Sequence, residues 1–252
     1  MTLAACAEIV RRGDPDRFLA AMAAPRAARA RLFPLYAFNM EIARAPWATS
    51  DPVIAKMRLQ FWRDVLAEID EGRNARAHEV VRPLSEVMHS GGIPGALLDG
   101  IVVARWADVD RAPFTTAEAL DHYLAETAGT LMWASAQALN AQYKRETVVR
   151  AVGKAQGLAS MLIAAPELER RGWQVLPEAG LGEMIAAARA DLAEARKVRF
   201  KLCVPALRAA WRAEGILARA AADPGAIREE RLQGSEFARR ASLMVRGLSG
   251  RW

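Results

Sequence analysis

The sequence predicts an all-α protein, and three observations lead to that prediction. Alanine, leucine, arginine and glutamate, all strong helix formers, dominate the 252 residues. Runs of β-branched residues are scarce, and apolar residues recur at intervals of three and four along most of the chain. With 52% hydrophobic residues, the chain is able to bury a large core. Its length fits one large domain or two small ones, and no linker or repeat divides it, so we expect one helical domain over residues 1–252.

The first third of the chain is divided into helices by proline and cap residues. An Asp-Pro pair, which supplies an N-cap and a first-turn proline, predicts a helix start at residues 14–15 and again at residues 51–52. Pro25 ends the helix that starts at residues 14–15. Another helix lies between Pro25 and Pro46, and Pro46 ends it. Pro34 lies within this helix and predicts either a kink or the point at which the helix begins.

Further helices follow, with one polar interval between them. Thr115 or Thr116 is the expected cap of a helix that continues to about residue 140. The next helix, over residues 146–165, is expected to stop at Pro166, and the prolines and glycines of residues 166–180 predict a loop or lid. The remaining predicted helices cover residues 181–195, 205–219 and 233–248.

The positive charge is concentrated in the last quarter of the chain. The net charge is +6, yet residues 189–252 alone hold 14 Lys or Arg against 7 Asp or Glu. Basic helices of this kind contact nucleic acid, acidic lipid headgroups or an acidic protein, or form a solvated face. We expect no nucleic acid partner.

The two cysteines and the absence of targeting signals indicate a reducing compartment. Cys6 and Cys203 are far apart and lack metal-ligand spacing, so neither a disulfide framework nor a zinc site is expected. No stretch reaches the roughly 20 apolar residues of a membrane span. In the first residues the charges follow the apolar run, the reverse of a secretory signal. A cytoplasmic protein is the expectation, with peripheral contact at the inner face of the plasma membrane as an extension of it.

Nucleophile and phosphate-binding motifs are absent from the sequence. It contains no GxSxG, no P-loop and no glycine fingerprint. His78, His89 and His122 stand without a spaced partner, which favours structural histidines over ligands or bases. The residues alone therefore give no catalytic site and no metal site.

Four motifs in a fixed order carry more information. They are LYAF at 35–38, LQFWRDVL at 59–66, YLAETAGTLM at 123–132 and GKAQGLASMLIAAPELERRGWQVLP at 153–177. In this order the chain resembles the squalene/phytoene synthase family over roughly residues 18–181. The resemblance implies the isoprenoid synthase fold, a single bundle of helices around a central cavity.

The resemblance also implies a metal site that this sequence lacks. Enzymes of the family hold magnesium ions between two aspartate-rich motifs, and the ions grip the substrate diphosphate through carboxylate and water ligands. The family's first motif would follow LYAF, where Glu41 has no acid three or four residues further on. The positions that correspond to the two motifs are occupied here by Ala43, Arg44, Trp47, Ala164, Glu167 and Leu168. No cofactor is expected.

One branch of the family shares both the retained motifs and the losses. The chain resembles the phytoene-synthase-like assembly factors of respiratory complex I in LYAFNMEIARA without an acid cluster, in MRLQFWRDVL and in GKAQGLASMLIAAP. The resemblance implies an inactive homologue that helps to build NADH:quinone oxidoreductase, with subunits or assembly intermediates of that complex as partners. Two alternatives stay open: a prenyltransferase, which would need Mg²⁺, and a non-catalytic protein that binds isoprenoids or lipids.

Two groups of further residues are candidates for binding. By family analogy the cavity is lined by Tyr36, Asn39, Met40, Tyr123, Gly129, Met132 and Gln156. Met132 replaces a glycine and is expected to narrow the cavity, and aromatic and small residues at such positions are also ordinary core. The candidates for partner or headgroup contact are Arg170, Arg171 and Trp173.

Overall fold

The computed structural model describes residues 3–252, and it describes side chains there except for those of residues 236–240 and 248. This part of the chain forms fifteen α-helices and no β-strand. The helices are α1 (Leu3–Gly13), α2 (Pro15–Met22), α3 (Arg26–Arg44), α4 (Pro52–Asp70), α5 (Val81–Gly91), α6 (Gly95–Ala104), α7 (Trp106–Asp110), α8 (Ala117–Leu124), α9 (Thr130–Ala138), α10 (Glu146–Arg170), α11 (Leu181–Lys197), α12 (Val204–Leu207), α13 (Ala213–Ala222), α14 (Gly225–Arg228) and α15 (Glu236–Leu248). The predicted all-α class is confirmed.

Local chemistry fixes several of the helix starts. The Asp14 carboxylate accepts a hydrogen bond from the Arg17 backbone N–H at 2.8 Å, and Asp51 accepts one from Val53 at the same distance. Of the two candidate threonines, Thr116 is the cap of α8, because its hydroxyl accepts from the Ala119 N–H at 3.2 Å. Each cap satisfies a backbone donor that the first helical turn leaves without a partner.

Helix α10 lies at the centre of the core. It packs against α8, α9, α11 and α13, and a single turn of π-helix, Ala125–Gly129, joins α8 to α9 alongside it. Helix α3 contacts α1, α2, α5 and α9, so α3 and α10 both pack against α9. The buried apolar cluster runs from Cys6 to Trp252.

Two glycines on α10 allow an unusually close helix crossing. A Cβ at Gly153 would lie 2.5 Å from the Met132 Cβ and 2.6 Å from the Ala128 carbonyl oxygen. One turn further on, a Cβ at Gly157 would lie 2.5 Å from the Ala128 Cβ. Only glycine fits these contacts, so the GKAQG motif sets the spacing between α10 and the π-turn.

Sequence predictions about helix ends are corrected in two places. Pro166 does not stop the helix over residues 146–165, and α10 continues to Arg170, so the loop begins only at Arg171. The proline forgoes one backbone hydrogen bond, and the burial of its ring in the core offsets that loss. The predicted helix over residues 205–219 is interrupted at Arg208–Ala210, where buried Arg208 donates to the Ala23 carbonyl oxygen at 2.9 Å. That tertiary contact outweighs local helix propensity.

Among the described residues, one helical stretch, Tyr143–Arg170, has the length and mean hydropathy of a membrane span. In its most apolar window, 56% is buried inside the protein. A central core helix has the same composition, because it is apolar on nearly all sides.

Candidate functional site

A cavity of about 350 Å³ lies between α3, the α8–α9 segment and α10. Such a volume is at the lower end of the range for small-molecule sites. Side chains from α2, α7 and the loop after α10 complete its walls. The lining residues are Gly13, Asp14, Arg17, Asn39, Met40, Ala43, Trp47, Arg105, Asp108, Tyr123, Leu124, Thr127, Ala128, Leu131, Gln156, Gly157, Ser160, Met161, Ala164, Leu168 and Trp173.

Four of the six positions that the resemblance assigns to the two aspartate-rich motifs line this cavity. Ala43 and Trp47 lie on the α3 side, and Ala164 and Leu168 lie on the α10 side. None of the four carries an ionisable group. Arg44 points away from the cavity, into a groove between α3 and α4.

Trp47, at one of these motif positions, lies in a cluster of aromatic rings and guanidinium groups. Its ring centroid lies 6.2 Å from that of Trp173. Arg111 stacks over the Trp47 ring with 4.8 Å between guanidinium carbon and ring centroid, and Arg171 does so at 5.7 Å. These cation–π contacts are attractive. Two positive charges therefore stand beside a position that the family resemblance assigns to the first metal-binding motif.

Glu167 is the acid among the six positions that the resemblance assigns to the two motifs, and its carboxylate pairs with arginines. Its carboxylate accepts hydrogen bonds from Arg171 Nε at 2.6 Å and from Arg170 Nε at 3.0 Å. These two bonds hold the pKa of Glu167 below its usual value. The side chain is 48% exposed and does not line the cavity.

The cavity contains a buried polar triad that the motifs did not reveal. Arg105 Nη1 donates to Asp108 Oδ2 at 3.0 Å and to the Tyr123 hydroxyl at 2.7 Å, and that hydroxyl donates to Asp108 Oδ1 at 2.7 Å. Burial raises the pKa of the Asp108 carboxyl, and Arg105 and the Tyr123 hydroxyl oppose the rise. Burial also raises the pKa of Tyr123, which keeps the hydroxyl protonated.

A second polar group lines the cavity next to α2. Arg17 Nη2 donates to Gln156 Oε1 at 3.0 Å, and Arg17 Nε lies 3.5 Å from the Asp14 carboxylate. The amide nitrogen of Gln156 donates to the Ser160 hydroxyl at 2.8 Å. The amide oxygen and the amide nitrogen of Gln156 both form hydrogen bonds within the protein. A ligand would therefore have to break one of these hydrogen bonds to bind the amide.

The structure separates the predicted lining residues into two sets. Asn39, Met40, Tyr123 and Gln156 lie on the cavity wall. Three others do not line it, which corrects the prediction: Tyr36, Gly129 and Met132. Each is engaged at a helix contact instead. Met132 is buried with its Cβ close to Gly153 and is not among the residues that line the cavity, so the expected narrowing by its side chain is not seen.

The predicted partner-binding residues also differ from expectation. Trp173 is 2% exposed and its indole N–H donates to the Ala112 carbonyl oxygen at 3.0 Å, so its assignment as a surface contact is wrong. Arg170 and Arg171 are exposed, but both pair with Glu167, and Arg170 also pairs with Glu230 at 2.6 Å. These cations are engaged within the chain.

The side chains present do not fit a magnesium ion. The carboxylates that line the cavity belong to Asp14, which caps α2, and Asp108, which is held in the triad. Within the described part of the chain, no three His, Cys, Asp or Glu side chains are grouped so that they could hold a metal ion. Mg²⁺ requires several oxygen ligands in octahedral geometry.

Comparison with known proteins agrees with the fold and the motifs. A dehydrosqualene synthase solved in complex with a ligand superimposes with a TM-score of 0.70 at 15% identity, covering 98% of this chain and 95% of that one. The human protein named NADH dehydrogenase (ubiquinone) complex I, assembly factor 6 is 26% identical over 162 residues, which are 64% of this chain and 48% of that protein. Its Drosophila melanogaster homolog is 29% identical over 182 residues, 68% of this chain and 53% of that protein.

The chain thus spans about half the length of the curated relatives it matches. The family model described as squalene/phytoene synthase matches residues 10–235, which extends well beyond the four motifs at both ends. The chain therefore belongs to the squalene/phytoene synthase family.

Proposed function

We propose that this chain is a squalene/phytoene synthase homologue without prenyl-transfer activity that acts in the assembly of respiratory complex I. The observation that carries the proposal is that Ala43, Trp47, Ala164 and Leu168, at positions that the resemblance assigns to the acidic motifs, line the cavity without an ionisable group. Relatives named as complex I assembly factors supply the role.

The chemistry of the substrate explains why these replacements matter. A departing diphosphate carries several negative charges, and protein-bound metal ions stabilise that charge as it develops. Each 1.4 kcal/mol or so of lost transition-state stabilisation slows the reaction about tenfold. A cavity with alanine, leucine and tryptophan at the motif positions has no anchor for the metals, so ionisation of an allylic diphosphate would be slower by many powers of ten.

Two alternatives make different demands on the same cavity. A prenyltransferase would need Mg²⁺ held by ligands other than the family's, and the cavity offers Asp14 and Asp108, both already engaged. A non-catalytic protein that binds isoprenoids or lipids needs only volume and apolar walls. The cavity of about 350 Å³ favours that second candidate over the first.

The proposed place of action is the cytoplasm, at the inner face of the membrane that holds complex I. The excess of basic residues over 189–252 supports peripheral contact with anionic headgroups there. The proposed partners are subunits or assembly intermediates of the complex. Nucleic acid has no part in this proposal.

Deletion of the gene in its native host tests the proposed function. We expect loss of assembled complex I on native gels and loss of NADH-driven respiration, with succinate-driven respiration unchanged as the control. Re-expression of the chain should restore the complex. Normal levels of assembled complex I in the deletion strain would contradict the proposal.

A further inference from the structure

A surface groove of about 500 Å³ lies between α4 and the C-terminal end of α3, and it is separate from the cavity described above. Its α4 side is a stripe formed by Ile54, Met57, Arg58, Phe61 and Trp62. These positions recur at three and four residues and cover just over two helical turns, or about 12 Å. The groove is therefore long enough for two turns of a second helix.

The stripe exposes apolar side chains in one contiguous patch. Met57 is 66% exposed and Ile54 is 45% exposed, and Val53 beside them is 64% exposed. Single exposed apolar residues are common on protein surfaces, whereas a contiguous apolar patch along a groove marks an interaction site. Methionine adapts its shape to a partner at little cost.

The floor of the groove is made of closely packed rings. Trp62 packs edge-on against Phe38 at 5.3 Å, Phe61 at 5.5 Å and His78 at 5.1 Å between ring centroids. Arg76 lies over the Phe61 ring at 5.1 Å and is fixed by its ion pair with Glu68. A partner would meet a preformed surface, which lowers the entropic cost of association.

The charges on the rim favour an acidic partner. Arg44 and Arg58 line the groove, and neither forms an ion pair or hydrogen bond with another part of the chain that the structure describes. Neighbouring cations on α4 are neutralised: Arg63 by Asp99 at 2.7 Å and Lys56 by Asp110 at 2.8 Å. Glu41 is the acid in the lining, so the rim keeps a net positive charge.

We propose that this groove binds an amphipathic helix of a protein partner, with apolar side chains against the α4 stripe and a carboxylate at Arg44 or Arg58. Helices bind apolar grooves through side chains spaced at three and four residues, as here. A membrane surface suits the groove less well, because lipid binding uses clusters of four to eight cations and this rim has two. The inference deepens the proposed function, on which it relies for the origin of the partner.

The chemistry of the groove is testable with purified protein and synthetic peptides. Fluorescence anisotropy would follow a labelled amphipathic peptide of leucine and glutamate, and a matched peptide with lysine in place of glutamate. We expect the glutamate peptide to bind, and Met57→Glu and Arg58→Glu to weaken it by at least about tenfold, roughly 1.4 kcal/mol. Leu202→Glu is the matched control, because Leu202 is also 66% exposed but lies outside the groove. Equal binding of both peptides, or binding unaffected by Met57→Glu, would overturn the proposal.

Two other occupants give distinct results. Flotation with vesicles that contain phosphatidylglycerol, reduced by Met57→Glu and not by Leu202→Glu, would assign the groove to a membrane. A dimer in analytical ultracentrifugation that Met57→Glu dissociates would assign it to a second copy of this chain. Either result replaces the proposed occupant.

Complementation separates this inference from the proposed function. In the deletion strain, we expect the wild-type chain and Leu202→Glu to restore complex I, and Met57→Glu not to, while thermal unfolding shows that all three fold equally well. If the deletion leaves complex I intact, the proposed function fails. If the deletion removes complex I and Met57→Glu restores it, the groove proposal fails and the proposed function stands.

Discussion

The crossing of α10 over the π-turn makes a quantitative prediction for Gly153→Ala. The new methyl group would lie 2.5 Å from the Met132 Cβ, 2.6 Å from the Ala128 carbonyl oxygen and 2.9 Å from the Gly129 Cα. Carbon atoms in contact prefer separations of about 3.5–4.0 Å. Two of the three obstructing atoms belong to the backbone, so rotation of a side chain does not relieve the contact, and α10 has to move by about 1 Å.

The expected cost follows from two opposing terms. Overpacking a core in this way costs about 2–3 kcal/mol, at the upper end of the usual range, because the backbone itself has to shift. Alanine in a helix is more favourable than glycine by about 1 kcal/mol. The net prediction for Gly153→Ala is a loss of about 1–2 kcal/mol in the free energy of unfolding.

Urea unfolding followed by far-UV circular dichroism measures this loss. Gly182→Ala is the control, because Gly182 lies in α11 and a methyl group added there would have no neighbouring atom within 4 Å. This control should leave stability unchanged or raise it by up to about 1 kcal/mol. Equal stability of the two variants would refute the argument that Gly153 is required by the crossing.

The remaining predictions concern buried polar groups. Asp108→Asn leaves the Arg105 guanidinium buried without its counter-charge, and should cost about 3–5 kcal/mol in urea unfolding; a change below about 1 kcal/mol would argue against a buried ion pair. Burial raises the pKa of the Cys6 thiol from 9.0 to about 11, so Cys6 should resist a thiol reagent at neutral pH until the chain unfolds, and rapid labelling of the folded protein would contradict its burial. Because folded Cys6 keeps its proton between about pH 9 and 11 while the unfolded chain loses it, stability should fall as pH rises through that window, and Cys6→Ala should reduce the fall.

Features set by neighbouring residues in the chain were predictable. The caps Asp14, Asp51 and Thr116 follow from side-chain oxygens that reach backbone donors two or three residues away. The spacing of apolar residues along the chain predicted the helical class, because it reports which face of each helix is buried. The family motifs added the order in which those helices pack.

Features set by distant contacts were not predictable. Trp173 stands in a polar, arginine-rich segment that is typical of a surface, and its burial depends on Phe114 and Tyr123, whose rings lie 5.9 and 6.5 Å away. Pro166 is accepted within α10 because the surrounding core buries it. The Arg105–Asp108 spacing at the start of α7 was a visible signal, but the same spacing usually marks an exposed pair, and Tyr123 completes the triad only after folding.

The cavity combines residues that the family resemblance predicts with lining positions of the two motifs that carry no ionisable group. Its walls keep Asn39, Tyr123 and Gln156 at the positions that the family resemblance assigns to them. Among the positions that the resemblance assigns to the two motifs, Trp47 contacts Arg111 and Arg171, and Glu167 pairs with Arg170 and Arg171. Neither wall presents an ionisable group at Ala43, Trp47, Ala164 or Leu168.

We propose that the chain keeps the fold of the prenyl synthases without their metal-dependent chemistry. Release of diphosphate from farnesyl and geranylgeranyl diphosphate, measured with purified protein and excess MgCl₂, tests it most directly. We expect a rate equal to that without protein, and no coupled hydrocarbon product. Protein-dependent release of diphosphate that EDTA abolishes would contradict it.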